Sequence, residues 1–175
     1  MKILAFDQAT KISGWAVFNE DQYIDSGVID LHKNLDTEAR TKQMGIELCK
    51  KIDEVKPDYI IIEEVQNQSN VSTVIKLARL QGMVLGFAAA NKIQTKIFEP
   101  SHWRKILSYR QGAKVKRETL KQQSIDYVKN KFGFDFSEDR AEAVCINVAA
   151  QIELKSLDDI CLLYTSPSPR DRQKS

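Results

Sequence analysis

The chain of 175 residues is 42% hydrophobic and 29% charged, which is ordinary for one soluble globular domain and leaves little room for a second. We expect no membrane span, because no apolar stretch reaches the length that spans a membrane. We expect no signal peptide, because Met1-Lys2 leads directly into an apolar run. The net charge of +2 comes entirely from residues 160–175, so it carries no information about nucleic-acid binding.

Hydrophobic periodicity predicts one mixed α/β domain over residues 1–155, with a mixed central sheet and helices on both faces. In chain order the predicted elements are strands over 2–7, 14–19 and 22–31, a helix over 36–55, a strand over 59–62, a helix over 71–91, a strand over 93–99, and helices over 101–108, 114–131 and 139–154. The first two strands form a hairpin, and Gly27 predicts an irregularity in the third. The β-branched run 59–62 suits a central strand that is covered on both faces.

The tail over residues 160–175 has no helical or strand period, and its end is rich in Ser, Pro and Arg. It resembles translated sequencing-adapter text, and we expect it to be disordered or non-native. The cysteines Cys49, Cys145 and Cys161 are far apart and lack metal-ligand spacing. Free thiols in a reducing compartment predict a cytoplasmic protein, with Cys145 as a small core residue.

Acidic residues stand at the ends of three predicted elements. Asp7 ends the first strand, and Glu63 and Glu64 end the buried strand. Asp139 and Glu142 open the last helix and share one of its faces. Carboxylates that converge repel one another unless a divalent cation neutralises them, and two Mg²⁺ ions can bind both the attacking and the leaving oxygen of a phosphodiester. Each acid alone also fits a turn, a solvated surface or a helix cap, so spacing by itself leaves both interpretations open.

Four segments, in order over about residues 1–153, resemble the RuvC-type Holliday junction resolvases and are closer to divergent phage-type members. They are Asp7-Gln-Ala-Thr-Lys-Ile-Ser-Gly-Trp-Ala-Val17, Ile62-Glu63-Glu64-Val65, Ala78-Arg79-Leu80-Gln81-Gly82 and Asp139-Arg-Ala-Glu142-Ala-Val. The first segment is fairly specific and the second is weak alone, but the ordered set is a strong signal.

This resemblance implies an RNase H-like fold, a homodimer, and symmetric nicking of four-way DNA junctions. It also implies that Asp7, Glu63, Asp139 and Glu142 are the catalytic metal ligands, holding two Mg²⁺ ions for which Mn²⁺ can substitute. Two departures stand out. Glu142 occupies a position that is usually Asp, and Gln66 occupies the position of an aromatic residue that stacks on junction bases in the bacterial enzyme. The cleavage-sequence preference of the bacterial enzyme is therefore not expected here.

A basic segment over residues 102–131 holds nine Lys and Arg residues against Glu118 and Asp126. We predict that this segment binds DNA, with a solvated helix face as the alternative. The predicted DNA contacts are Arg104, Lys105, Arg110, Lys114, Lys116, Arg117 and Lys121. Trp103, in the same segment, is expected to pack in the core.

Two other functions stay open: a junction-binding protein that does not cut, and an actin-like or sugar-kinase-like ATPase fragment. The second rests on Asp7-Gln-Ala-Thr10 and Gly14, which superficially resemble a first phosphate loop. That fold needs two such domains, which exceed this length.

Paired cuts require a two-fold dimer. The predicted dimer surface is the apolar helix over 71–91, with Leu80, Gly82, Gly86 and Ala88–Ala90. Burial of this helix within its own subunit is the alternative.

Overall fold

The computed structural model describes residues 1–31, 35–66 and 70–165, with the backbone alone for 157–165. Within these ranges the chain forms five strands and five helices. They are β1 (Lys2–Asp7), β2 (Ile12–Asn19), β3 (Gln22–Asp30), α1 (Thr37–Val55), β4 (Tyr59–Glu63), α2 (Val71–Ala90), β5 (Gln94–Phe98), α3 (Pro100–Ile106), α4 (Arg117–Phe132) and α5 (Glu138–Thr165). The predicted order of elements is confirmed.

The five strands form one mixed sheet in the order β3-β2-β1-β4-β5. β1, β2 and β3 are antiparallel neighbours, whereas β4 runs parallel to β1 and β5 runs parallel to β4. Parallel neighbours need crossover connections, which α1 and α2 supply. The carboxyl ends of β1 and β4 therefore meet at one edge of the sheet.

Helices cover both faces of the sheet, as predicted. α1 and α2 pack on one face, against side chains such as Leu4 and Phe6, and α3, α4 and α5 pack on the other, against Ile3 and Ala5. Successive side chains of a strand point to opposite faces, so β1 contributes to two cores at once. This burial on both sides explains its nearly unbroken apolar sequence.

The same alternation places two of the predicted acids on the α5 side of the sheet. Asp7 has the parity of Ile3 and Ala5, and Glu63 has the parity of Ile61, whose side chain packs among α3, α4 and α5. β1 and β4 pair Phe6 with Ile62, so the next residue of each strand lies at the same level. Asp7 and Glu63 are therefore neighbours on adjacent strand ends.

The irregularity in β3 is at Ile24 and not at the predicted Gly27. Val17 pairs with Asp25 and Phe18 pairs with Tyr23, which leaves Ile24 as the extra residue of a β-bulge. Gly27 stays in register, and a Cβ there would lie 2.8 Å from the ring of Trp15. The glycine therefore allows close packing of a ring and does not mark a break in the ladder.

The last helix is longer than predicted. α5 runs to Thr165, whereas the sequence pattern ended the helix at residue 154. The backbone over 160–165 is helical, whereas the sequence predicted a disordered or non-native tail from residue 160 onward. Residues 166–175 lie outside the described residues, and the non-native origin of the tail stays a prediction.

α2 differs from expectation in two respects. By length and composition α2 is long and apolar enough to cross a membrane. This differs from the prediction that no apolar stretch in the sequence reaches membrane-spanning length. Leu80, predicted on a dimer surface, is fully buried with Val84 and Ala88 against the sheet and α1. The outer edge of α2 instead exposes Val71 and Ile75, which are 66% and 45% exposed.

Candidate active site

A cleft of about 690 Å³ opens where β1 and β4 end beneath the first turns of α5. All four predicted acids line it: Asp7, Glu63, Asp139 and Glu142. Two come from neighbouring strand ends and two from one helical face. The structure therefore brings together residues that are up to 135 positions apart in the sequence.

Gly14 allows α5 to approach the strand ends. β2 pairs Gly14 with Asp7, and a Cβ at Gly14 would overlap the backbone carbonyl of Asp139. Any larger residue would push the start of α5 away from the sheet. This close approach places Asp139 over the pair of strands that carries Asp7.

The turn after Asp7 is held by Ser13. Its buried hydroxyl donates to the Ala9 carbonyl at 2.7 Å and accepts from the Ala9 N–H at 2.9 Å. This closes the turn over Gln8, Ala9 and Thr10, which line the cleft beside Asp7. The Ser-Gly pair thus has two separate tasks, in that Ser13 shapes the turn and Gly14 admits the helix.

Burial raises the pKa of three of these carboxyl groups, and neighbouring negative charges raise the pKa of two of them further. Burial, followed by the charges of Glu142, Glu63 and Asp139, raises the pKa of Asp7 well above its usual value, with Arg104 opposing. Burial also raises the pKa of Glu63, against a hydrogen bond from Trp103 and the charge of Arg104. The pKa of Glu142 is raised by burial and then by Glu63. The ionised forms of these carboxyl groups are therefore disfavoured in the folded protein.

Arg104 lies among these acids and not on an open surface. One terminal guanidinium nitrogen (Nη2) lies 3.5 Å from Glu142 Oε1 and 3.7 Å from Glu63 Oε1, and the side chain is only 17% exposed. Its Nε is buried without a hydrogen-bond partner among the described residues. Arg104 therefore acts as an internal counter-ion that bridges two of the four carboxylates.

The donor chemistry of the cleft fits a hard divalent cation. Four carboxylates converge, and the buried Oε1 of Gln8 beside them has no donor among the described residues, which water on a cation would supply. In the described ranges no three His, Cys, Asp or Glu side chains are already arranged so that they could hold a metal ion together. Arg104 forms ion pairs with Glu63 and Glu142. A cation that binds these two carboxylates would have to replace those ion pairs.

The structure divides the predicted DNA-binding residues into two groups. Arg104, Arg117 and Lys121 line the cleft, and Lys121 forms an ion pair with Glu138 at the start of α5. The others are exposed and do not line it: Lys105, Arg110, Lys114 and Lys116. Of this exposed group, Lys105 lies on α3, and Arg110, Lys114 and Lys116 lie between α3 and α4.

Three residues that contact Glu63 were not predicted as part of the site. Trp103 is fully buried, which confirms the expected core packing, but its indole Nε1 also donates to Glu63 Oε1 at 2.8 Å. The amide nitrogens of Gln81 and Gln8 donate to the Glu63 backbone carbonyl at 3.2 and 3.5 Å. Gln81 stands in a segment that carried the family resemblance, and nothing in the spacing indicated Trp103.

Solved structures share this architecture. The RuvC protein of Thermus thermophilus in complex with a Holliday junction substrate aligns with a TM-score of 0.69 at 13% identity, covering 89% of this chain and 96% of that one. The fowlpox virus resolvase with its Holliday junction DNA aligns with a TM-score of 0.60 at 18% identity, covering 88% and 99%. The mixed sheet and its two helical layers define an RNase H-like α/β fold, as predicted.

The sequence assigns the family. The model of the family described as crossover junction endodeoxyribonuclease RuvC matches residues 3–148, and the chain belongs to this family. The protein of that name from Fusobacterium nucleatum is 29% identical over 104 residues, which are 57% of this chain and 55% of the relative. That from Syntrophomonas wolfei is 29% identical over 129 residues, covering 71% and 75%. The chain thus spans little more than half the length of the first relative.

Proposed function

We propose that this protein is a structure-selective endodeoxyribonuclease that resolves four-way DNA junctions by paired symmetric nicks. The observation that carries the proposal is the convergence of four carboxylates from β1, β4 and α5 in one cleft of a RuvC-family chain. The names of two structural neighbours, both solved with Holliday junction DNA, support the substrate class. We place the protein in the cytoplasm, where such DNA is found.

Asp7, Glu63, Asp139 and Glu142 would hold two Mg²⁺ ions, for which Mn²⁺ can substitute. When bound, such ions supply the positive charge that activates water and stabilises the leaving 3′ oxygen, giving 5′-phosphate and 3′-hydroxyl ends. The chain itself concentrates negative charge at the strand ends. The mutual repulsion described above favours binding of a cation there.

The basic residues would bind the phosphate backbone. Arg117 and Lys121 line the cleft and would contact the phosphate nearest the cut, whereas exposed residues such as Lys114 and Lys116 would hold flanking phosphates. Such contacts carry little sequence information but make binding depend on salt. Gln66 lines the cleft in place of a stacking aromatic, in keeping with an altered sequence preference.

The dimer would form through the exposed edge of α2. A Cβ added at Gly82 or Gly86 would meet nothing within 4 Å, so this edge is open to a second helix. Ile75→Glu should give a folded monomer that binds junctions weakly and cannot make paired cuts, as measured by light scattering and junction cleavage. Leu80→Glu should instead unfold the subunit, because Leu80 is fully buried.

The deciding experiment compares a synthetic four-way junction with a linear duplex of the same sequence, with and without Mg²⁺. We expect Mg²⁺-dependent nicks at symmetric positions of the junction alone. Asp7→Asn, which keeps the shape of the side chain but removes its charge, should abolish cleavage and leave junction binding intact. Substantial Mg²⁺-dependent nicking by this variant would contradict the assignment, and binding without cleavage by the native protein would favour a non-cutting junction protein.

A further inference from the structure

Trp103 connects the core of the protein to the acidic cleft. The residue lies on α3 and is fully buried, and its Nε1–H donates to Glu63 Oε1 at 2.8 Å. A buried indole N–H needs an acceptor, and a hydrogen bond to an ionised carboxylate is stronger than one to a neutral group. The contact therefore fixes both partners, the ring in the core and the carboxylate at the end of β4.

Both the backbone and the carboxylate of Glu63 are fixed by contacts with neighbouring side chains. Its backbone carbonyl accepts from Gln81 at 3.2 Å, and the carboxylate oxygen that accepts from Trp103 also lies 3.7 Å from Arg104. The Arg104 guanidinium lies 4.8 Å from the centre of the Trp103 ring, so ring, guanidinium and carboxylate pack as one unit. Within the described ranges the second oxygen, Oε2, makes neither a hydrogen bond nor an ion pair.

We propose that Trp103 is a positioning residue, whose indole N–H holds one oxygen of Glu63 so that the other oxygen is presented to a divalent cation in the cleft. This inference rests on the proposed metal-dependent function. It adds a role for a core residue that touches neither the cation nor DNA. Groups that orient metal ligands in this way commonly change metal affinity or activity by about 10- to 100-fold when they are removed.

A purely structural role for Trp103 gives a different expectation. The ring packs edge-to-face on Tyr109, with 5.6 Å between ring centres, and phenylalanine would keep much of that contact. If the ring only fills space, Trp103→Phe lowers the melting temperature and leaves the Mg²⁺ requirement unchanged. If the N–H positions Glu63, the same variant raises the Mg²⁺ requirement.

The test measures Mg²⁺ affinity by calorimetry without DNA and the Mg²⁺ dependence of junction cleavage, for native protein and Trp103→Phe. We expect the dissociation constant for Mg²⁺ to rise about 10- to 100-fold, with kcat largely restored at saturating Mg²⁺. Trp15→Phe is the matched control, because Trp15 packs on Lys51 and Gly27 outside the cleft. Its Mg²⁺ affinity should equal that of the native protein.

A second measurement leaves position 103 intact. The chain has two tryptophans, so Trp15→Phe leaves Trp103 as the single one. Its fluorescence should change on addition of Mg²⁺, with the midpoint found by calorimetry, and this result decides the matter if Trp103→Phe does not fold. Unchanged emission at saturating Mg²⁺, or native Mg²⁺ affinity in a folded Trp103→Phe, would overturn the positioning role alone. A native protein that neither binds Mg²⁺ nor cuts junctions would overturn the proposed function and this inference with it.

Discussion

Two regions of α5, little more than one turn apart, treat buried polar groups in opposite ways. At its start, burial and then the charge of Glu63 raise the pKa of Glu142, with Arg104 as a counter-ion. Further along, the fully buried Asn147 donates to the carbonyls of Ile3 and Ala16 at 3.0 and 2.9 Å. The Asn147 amide is hydrogen-bonded and joins the helix to the hairpin, whereas the ionised form of Glu142 is disfavoured. The arrangement at Glu142 thus costs stability at the proposed cation site, whereas that at Asn147 stabilises the helix where it is anchored to the hairpin.

Asp7→Asn should have the largest effect, because it removes the most strained charge. Beyond abolishing cleavage, it should raise the melting temperature of the metal-free protein at pH 7. The pKa of Asp7 is raised in the folded state, so its contribution to stability is present at low pH and is lost as pH rises through that folded pKa. The advantage of Asn should therefore grow with pH.

Thermal unfolding with and without Mg²⁺ checks this prediction. Mg²⁺ should raise the melting temperature of the native protein and have much less effect on Asp7→Asn, which lacks one ligand. Equal Mg²⁺ stabilisation of both proteins would show that the strain at the start of α5 has no connection with a cation site.

Gly14→Ala should disturb the start of α5 by changing its geometry and not its charge. The new Cβ would overlap the Asp139 carbonyl, so the start of α5 must move; overpacking of this kind costs about 1–3 kcal/mol. Cleavage should fall by more than tenfold as Asp139 shifts. Gly45→Ala is the control, because there the Cβ meets the flexible end of Met83 on the opposite face of the sheet. Comparable cleavage by the two variants would contradict the proposed close approach.

Asn147→Leu tests the satisfied region. It removes two hydrogen bonds to buried carbonyls while keeping the number and branching of side-chain heavy atoms, and we expect a loss of about 1–3 kcal/mol in the free energy of unfolding, measured in urea. Below the unfolding transition, cleavage per folded molecule should stay near the native level. A loss of cleavage without a loss of stability would mean that the two regions of α5 are not separable.

Truncation after Thr165 should have the smallest effect. The predicted non-native tail then lacks residues 166–175, and both the melting temperature and junction cleavage should stay unchanged. Differential scanning calorimetry and the junction assay measure the two quantities. A clear fall in either would show that the end of the chain belongs to the native protein.

The candidate site was predictable where it depends on local pattern. Asp7 and Glu63 end apolar strands, and their parity with Ile3 and Ile61 points both to the α5 face, which also favours Glu63 over Glu64. Asp139 and Glu142 share a helical face for the same kind of reason. Gly14 carried the resemblance, although its task, the approach of Asp139, became visible only in the fold.

The misplaced residues are those whose position depends on partners far away in the sequence. Charge alone grouped Arg104 with the exposed basic residues, but it points into the cleft because Glu63 and Glu142 attract it there. Leu80 was placed on a surface because the helix is apolar around much of its circumference, and only the sheet and α1 decide which edge is covered.

Periodicity and strand or helix ends, which are set by neighbours a few residues apart, determined from the sequence alone the order of elements and the two helical layers. The family resemblance, and not spacing, selected the four acids as candidate metal ligands. The tertiary structure decided which charges meet. Trp103 and Glu63 are 40 residues apart, and their hydrogen bond exists because α3 and β4 pack against the same helix, α5. Burial makes this hydrogen bond persistent, because neither the buried N–H nor the buried carboxylate can replace its partner with water.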